Sequence, residues 1–216
     1  MRKKASRLAA LVFGTAASLC THDARALDGL DLEMGAKVGF GSNPFGVTPN
    51  PLGLGLGARA GLSYRGLYAG LSFVYWLGGS AANSSEGGVY TGSGTKGASG
   101  STTIHTYQAG VELGYGFRFL RGLLTLRPQV GLGDAWFSVS ATGLQVGPGT
   151  VQSGSTVADN FYVEPGVTLL ISFGTVYLGA DVNLLILPGV GEDEGGNPTS
   201  TTEVGFTTHA QVGVKF

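Results

Sequence analysis

From Leu32 to Phe216 the chain returns again and again to one pattern, an apolar side chain at every second position with a small or polar residue between. Leu32, Met34, Ala36, Val38 and Phe40 alternate with Glu33, Gly35, Lys37 and Gly39. Successive side chains of a β-strand point to opposite faces, so such a run makes a strand with one greasy face and one polar face. The same spacing covers Leu52 to Tyr64, Leu67 to Leu77, Tyr107 to Phe117, Leu124 to Leu132, Phe161 to Phe173, Val176 to Ile186 and Val204 to Phe216. Tight turns are expected at Arg65-Gly66, Arg121-Gly122 and Gly174-Thr175, alternating with long polar connections before Leu52 and over 78–103, 140–158 and 188–202. Pro128, within the fifth run, cannot donate to a ladder and is expected to mark an edge or a bulge.

Composition sharpens this. Hydrophobic residues make up 43% of the chain and charged ones 12%, yet no block after the N-terminal segment approaches the ~20 apolar residues of a spanning helix. Thirty-nine glycines also disfavour a helical bundle. Strands of about 10 residues, tilted, can cross a bilayer, and an even number of them closes without an edge. The expected fold class is all-β: a closed antiparallel up-and-down transmembrane β-barrel of eight strands.

The charges decide which face looks outward. Glu33, Lys37, Arg59, Glu112, Arg118, Arg127, Glu164, Asp181, Glu203, His209 and Lys215 share the face opposite the apolar residues, together with many glycines. A soluble lipocalin-like barrel would turn its polar face to water and carry more Lys, Glu and Asn there. Glycine instead fits a crowded lumen, with the bulky face toward lipid. Rings gather at both ends of that bulky face: Tyr64, Tyr115, Phe117, Phe173 and Phe216 near the short turns, and Phe40, Tyr75, Tyr107, Trp136, Phe161 and Phe206 near the long loops. Such aromatic girdles mark the two membrane interfaces.

Over residues 28 to 216 this pattern resembles the eight-stranded outer-membrane barrels of the OmpA transmembrane-domain and OmpX type. Its most specific element is Val212-x-Val214-x-Phe216, similar to the aromatic-terminated last strand that the family's barrel assembly machinery recognises. The resemblance implies a bacterial outer-membrane location with lipid and lipopolysaccharide as surroundings.

The N-terminus agrees with export. Arg2, Lys3, Lys4 and Arg7 precede an apolar stretch from Leu8 to Leu19 and the small-x-small site Ala24-Arg25-Ala26, the order of a secretory leader. Cleavage is expected after Ala26, giving a leader over 1–26 and a barrel domain over 27–216. Lipid attachment at Cys20 is the competing reading, opposed by the bulky Leu19 before it. Cys20 is the only cysteine, so the mature chain would have no disulfide and no thiolate metal site. Removing the leader leaves 8 basic against 13 acidic residues, a net charge of about −5, which opposes nucleic acid as a partner.

Three functional readings follow. In the first, lumen charges pair with one another, Lys37, Arg59, Glu112, Arg127, Asp181 and His209 lying near mid-depth, and the exposed loops carry a structural or surface-interaction role. An unpaired ion buried there would cost several kcal/mol. In the second, the same residues line a narrow pore. The third is a lipid A acyl hydrolase, with His105 opposite Ser138 across a hairpin and Asp134 in the same phase, although the residues after His105 differ from the deacylase pattern. Gly53-Leu54-Gly55-Leu56-Gly57 fits a strand's inner face better than a phosphate loop, and Glu192-Asp193-Glu194 lacks the spacing of a calcium loop. No metal, cofactor or enzymatic activity is expected.

Overall fold

The computed structural model describes residues 29–46, 49–83, 100–145, 151–189 and 202–216. The leader expected over 1–26 with its cleavage site, Cys20, and the acidic run Glu192-Asp193-Glu194 lie outside them. The described residues form ten strands: β1 Leu30–Gly41, β2 Gly53–Tyr64, β3 Leu67–Trp76, β4 Ser80–Asn83, β5 Gly100–Tyr115, β6 Phe117–Phe119, β7 Leu124–Gln145, β8 Val151–Phe173, β9 Val176–Leu187 and β10 Glu203–Lys215. β4 continues β3 along the same edge of β5, and β6 continues β5 along β7, so the ten segments form eight staves. Around the ring the order is β1, β2, β3, β5, β7, β8, β9, β10, and β10 pairs back onto β1 from Glu33↔Lys215 to Gly41↔Thr207. The ladders from β2 round to β1 are antiparallel, and the sheet is a closed up-and-down barrel.

The short turns follow from their residues. Arg65 and Gly66 both have positive φ (50° and 94°) between the paired Tyr64 and Leu67, the mirror-image two-residue turn that matches strand twist. Gly174, at φ 64°, begins the turn between Phe173 and Val176. A single 3-10 turn over Leu120–Gly122 joins β6 to β7.

Several expectations change. Pro128 marks neither an edge nor a bulge. It stands inside the barrel wall opposite Val167, and the β5–β7 ladder lapses after Gly114↔Gln129 to resume at Phe117↔Leu126, where proline offers no N–H. Pro165 acts likewise on β8, whose ladder to β9 jumps from Val163↔Ile186 to Gly166↔Asn183. The polar stretch over 140–158 is mostly strand, because β7 and β8 continue their ladder to Gln145↔Val151, and residues 80–83 and 100–103 are paired strand as well. These extensions run largely to small and polar residues, such as Ser80, Ser101, Thr102, Thr103 and Ser140, and lack the strict apolar alternation of the other segments.

Side-chain polarity is inverted relative to a soluble barrel. Outward-facing Leu71 and Phe206 are 65% and 59% exposed, whereas Arg127 and Asp181 are 1% exposed. The upper lumen, at the long-loop end, holds a small apolar core of Leu52, Val74, Trp76, Ala135, Phe137, Tyr162, Leu185 and Leu187. Leu52, expected on the greasy outer face, is 1% exposed inside this core because the chain before β2 folds into the barrel mouth. Asn50 Nδ2 donates to the Gly41 carbonyl at 2.9 Å, Asn50 Oδ1 accepts from the Leu52 amide at 3.0 Å, and Thr106 Oγ1 donates to the Pro51 carbonyl at 2.8 Å. Phe45 closes over it, its ring 5.4 Å from that of Phe137.

Candidate functional site

Below the apolar core the lumen is filled by charged and polar side chains placed by the inward phase of each strand. Lys37 Nζ lies 2.8 Å from Glu112 Oε1 and 3.9 Å from Asp181 Oδ2, and Arg59 Nη2 lies 3.2 Å from Glu112 Oε2. Asp181 also meets His209 Nδ1 at 2.6 Å and accepts from Asn183 Nδ2 at 3.0 Å and Gln211 Nε2 at 3.4 Å. Gln211 in turn accepts from Arg59 Nη1 at 3.2 Å. Glu164 accepts from Gln108 Nε2 at 3.0 Å and from the Thr207 hydroxyl, and Gln108 accepts from Trp76 Nε1 at 3.0 Å. Charge-assisted bonds of this kind lock donor and acceptor strongly when water is excluded.

Arg127 is the exception to the common depth expected of it. It stands lower, toward the short turns, and pairs with Glu33 directly across the ring at 2.7 Å. Tyr68 joins the two levels: the Arg127 and Arg59 guanidiniums lie 4.0 Å and 4.8 Å from its ring centre, and its hydroxyl accepts from Arg59 Nε at 3.2 Å. Arg118 and Lys215 stand at the bottom of the lumen, lining its lowest cavity with Glu33 and Arg127. They sit at the short-turn mouth, 2.6 Å and 2.9 Å from Asp31, with Arg118 substantially exposed, because the barrel wall ends at that level. A cavity of about 10 Å³ beside Glu33, Arg127 and Tyr177 offers room for roughly one water.

The glycines of the inner face make this filling possible. A Cβ on Gly61 would come within 2.6 Å of the Tyr68 ring, and one on Gly55 would meet the Trp76 ring at the same distance. Aromatic side chains therefore lie flat over bare backbone. Tyr68, Gln108, Tyr177, Asn183, Thr207 and Gln211 were not singled out from sequence, although all occupy the polar phase.

On the outer wall, Phe40, Tyr64, Tyr107, Tyr115, Phe117, Phe161, Phe173, Phe206 and Phe216 are exposed, and Tyr75 and Trp136 are half-buried. Val212 and Phe216 are exposed on the same face, with Val214 between them partly covered, and Phe216 is tied to Leu32 by two backbone bonds of 2.9 and 3.0 Å. His105 and Ser138 are direct cross-strand partners, but His105 Nδ1 is 3.1 Å from the Tyr75 hydroxyl. Asp134 pairs with Ala109, four residues along β7 from Ser138, roughly 13 Å at strand rise. An acid that distant cannot orient the imidazole, and the three residues do not form a catalytic triad. No group of three or more His, Cys, Asp or Glu among the described residues could hold a metal ion.

No family model matches the chain, and no curated protein does. Solved structures do. A major outer-membrane protein from Thermus thermophilus aligns at 14% identity over 87% of this chain and 99% of its own, with a TM-score of 0.53. The N-terminal β-barrel domain of Pseudomonas aeruginosa OprF aligns at 13% identity over 86% and 97%, with a TM-score of 0.46. Closure in eight staves, greasy outside and ionic within, together with the Thermus likeness, gives the chain the fold of the small outer-membrane β-barrels.

Proposed function

We propose that the protein is an integral outer-membrane barrel, exported by its N-terminal leader, with a closed lumen and a structural or surface-interaction role carried at the long-loop end. One observation carries the reading. Every stave sends a polar side chain into the interior, from Glu33 and Lys37 on β1 through Arg59, Tyr68, Glu112, Arg127, Glu164 and Asp181 to His209 on β10, and the contacts among these residues run across the lumen, which supports a closed interior. An eight-stranded barrel is just wide enough for its side chains to fill it. Lipid and lipopolysaccharide would surround the outer wall, and the face bearing Val212, Val214 and Phe216 would be the one read by the barrel assembly machinery.

Single-channel recording of the refolded protein in planar bilayers tests the closed lumen. A quiet baseline is expected. Discrete openings that vanish on Glu112→Ala or Arg127→Ala would replace this reading with that of a pore. The lipid A acylation pattern should be unchanged on overexpression, and a lost acyl chain would reinstate hydrolysis.

A further inference from the structure

The three short turns differ in charge. Two place an arginine in the left-handed region, Arg65 at φ 50° and Arg121 at φ 59°, each followed by glycine, although asparagine or glycine would sit there with less strain. The Gly174-Thr175 turn carries no charge. Retained backbone strain points to use, and of these two arginines Arg65 is the one that lines a groove.

Arg65 and Arg118 line one open groove of about 320 Å³, whose other walls include the rings of Tyr115, Phe117 and Phe119. That volume lies within the range of small-molecule clefts. All three rings are about half exposed on the lipid-facing side. Arg118 donates Nη2 to Asp31, but Asp31 also holds Lys215, so one carboxylate faces two cations. Arg65 stacks loosely on Tyr64, its guanidinium 5.3 Å from the ring. Cations at the rim with aromatic rings beside them along the wall reproduce the order of a phospholipid, phosphate at the surface and acyl carbons inward. The local excess of positive charge, on a chain whose sequence is net acidic beyond its leader, selects an anionic headgroup.

We propose that this groove binds the phosphodiester headgroup of an anionic glycerophospholipid from the leaflet at the short-turn end. Arg65 and Arg118 share the phosphate oxygens as paired donors, and Tyr115, Phe117 and Phe119 pack on the first acyl carbons. The inference rests on the membrane reading above, and vesicle flotation reports on that separately.

The test uses the refolded full chain in phosphatidylcholine vesicles containing a minority of phosphatidylglycerol, with native mass spectrometry of the lipids retained after gentle detergent release. One phosphatidylglycerol per barrel is expected, reduced by about tenfold or more in Arg65→Gln/Arg118→Gln, the equivalent of one strong charge-assisted contact. Arg65→Gln alone leaves the Asp31 pairs intact and should lose a smaller share, so the test stands even if the double variant folds poorly. Equal retention by wild type and Arg65→Gln, no enrichment of phosphatidylglycerol over phosphatidylcholine, or displacement by millimolar inorganic phosphate would each overturn it. Failure of the wild type to float with vesicles would instead sink the membrane reading.

Discussion

Arg127 on β7 and Glu33 on β1 occupy opposite walls of the barrel and meet across it, the arginine Nη2 donating to both carboxylate oxygens at 2.7 and 2.9 Å. Both side chains are about 2% exposed, so neither ion reaches bulk water. Glu33→Gln or Arg127→Met should each destabilise the refolded barrel by about 3–5 kcal/mol, because the surviving ion is left buried and alone. The double variant should recover part of that loss. Urea titrations of all four proteins give the coupling, and strictly additive losses would mean the pair is not coupled.

The glycine face makes a contrasting prediction. Gly61→Val puts branched carbon where the Tyr68 ring lies and should cost about 1–3 kcal/mol by overpacking, dragging the Arg59 and Arg127 contacts with it. Its neighbour Ala60 faces outward and is exposed, so Ala60→Val should change the same midpoint little.

Two tryptophans report on the two sides of the wall. Trp76 is fully buried with its Nε1 bonded to Gln108, whereas Trp136 stands on the outward phase beside Tyr107. In lipids brominated near the headgroup end of the acyl chain, emission from Trp136 in a Trp76→Phe variant should be quenched. Emission from Trp76 in a Trp136→Phe variant should not. The reverse result would place the inner face outside.

Depth along the outer wall should matter as well. Leu71 and Val111 pair in mid-strand, and Leu71→Arg should cost about 2–4 kcal/mol in a bilayer. Leu67→Arg, beside the Arg65-Gly66 turn, should cost roughly 0–1 kcal/mol. Equal penalties at the two depths, measured by reversible unfolding from vesicles, would contradict a spanning wall.

The wall was legible because a barrel with one apolar and one polar face enforces alternation: every stave from β1 to β10 shows in the spacing of residues such as Leu32, Met34 and Ala36. Where the apolar alternation stops the signal fades, which is why Ser140 to Gln145 and Val151 to Ala158 read as loop although they form a ladder. Inward direction was equally legible, and Lys37, Arg59, Glu112, Asp181 and His209 all lie where their phase puts them. Their partners were not. Glu33 and Arg127 are 94 residues apart, and the height at which two staves meet depends on strand tilt and stagger, which no single run records. Phase alone therefore puts Arg127 level with Lys37, and does not tell that Arg118 stands at the bottom of the lumen. Leu52 misleads for another reason: an apolar residue in step with Leu54 looks lipid-facing, but Gly53, the first residue of β2, takes φ 57° and lets the chain before it turn inward.

That inward turn governs how the first long connection can be engineered. Pro51 and Leu52 cork the upper barrel from inside, held by Asn50 and Thr106, so a guest epitope grafted between Gly41 and Gly53 must spare Asn50-Pro51-Leu52 or it will pull the cork. Surface display is better sited between Gln145 and Val151, where the long β7–β8 ladder has already carried the chain away from the plugged mouth.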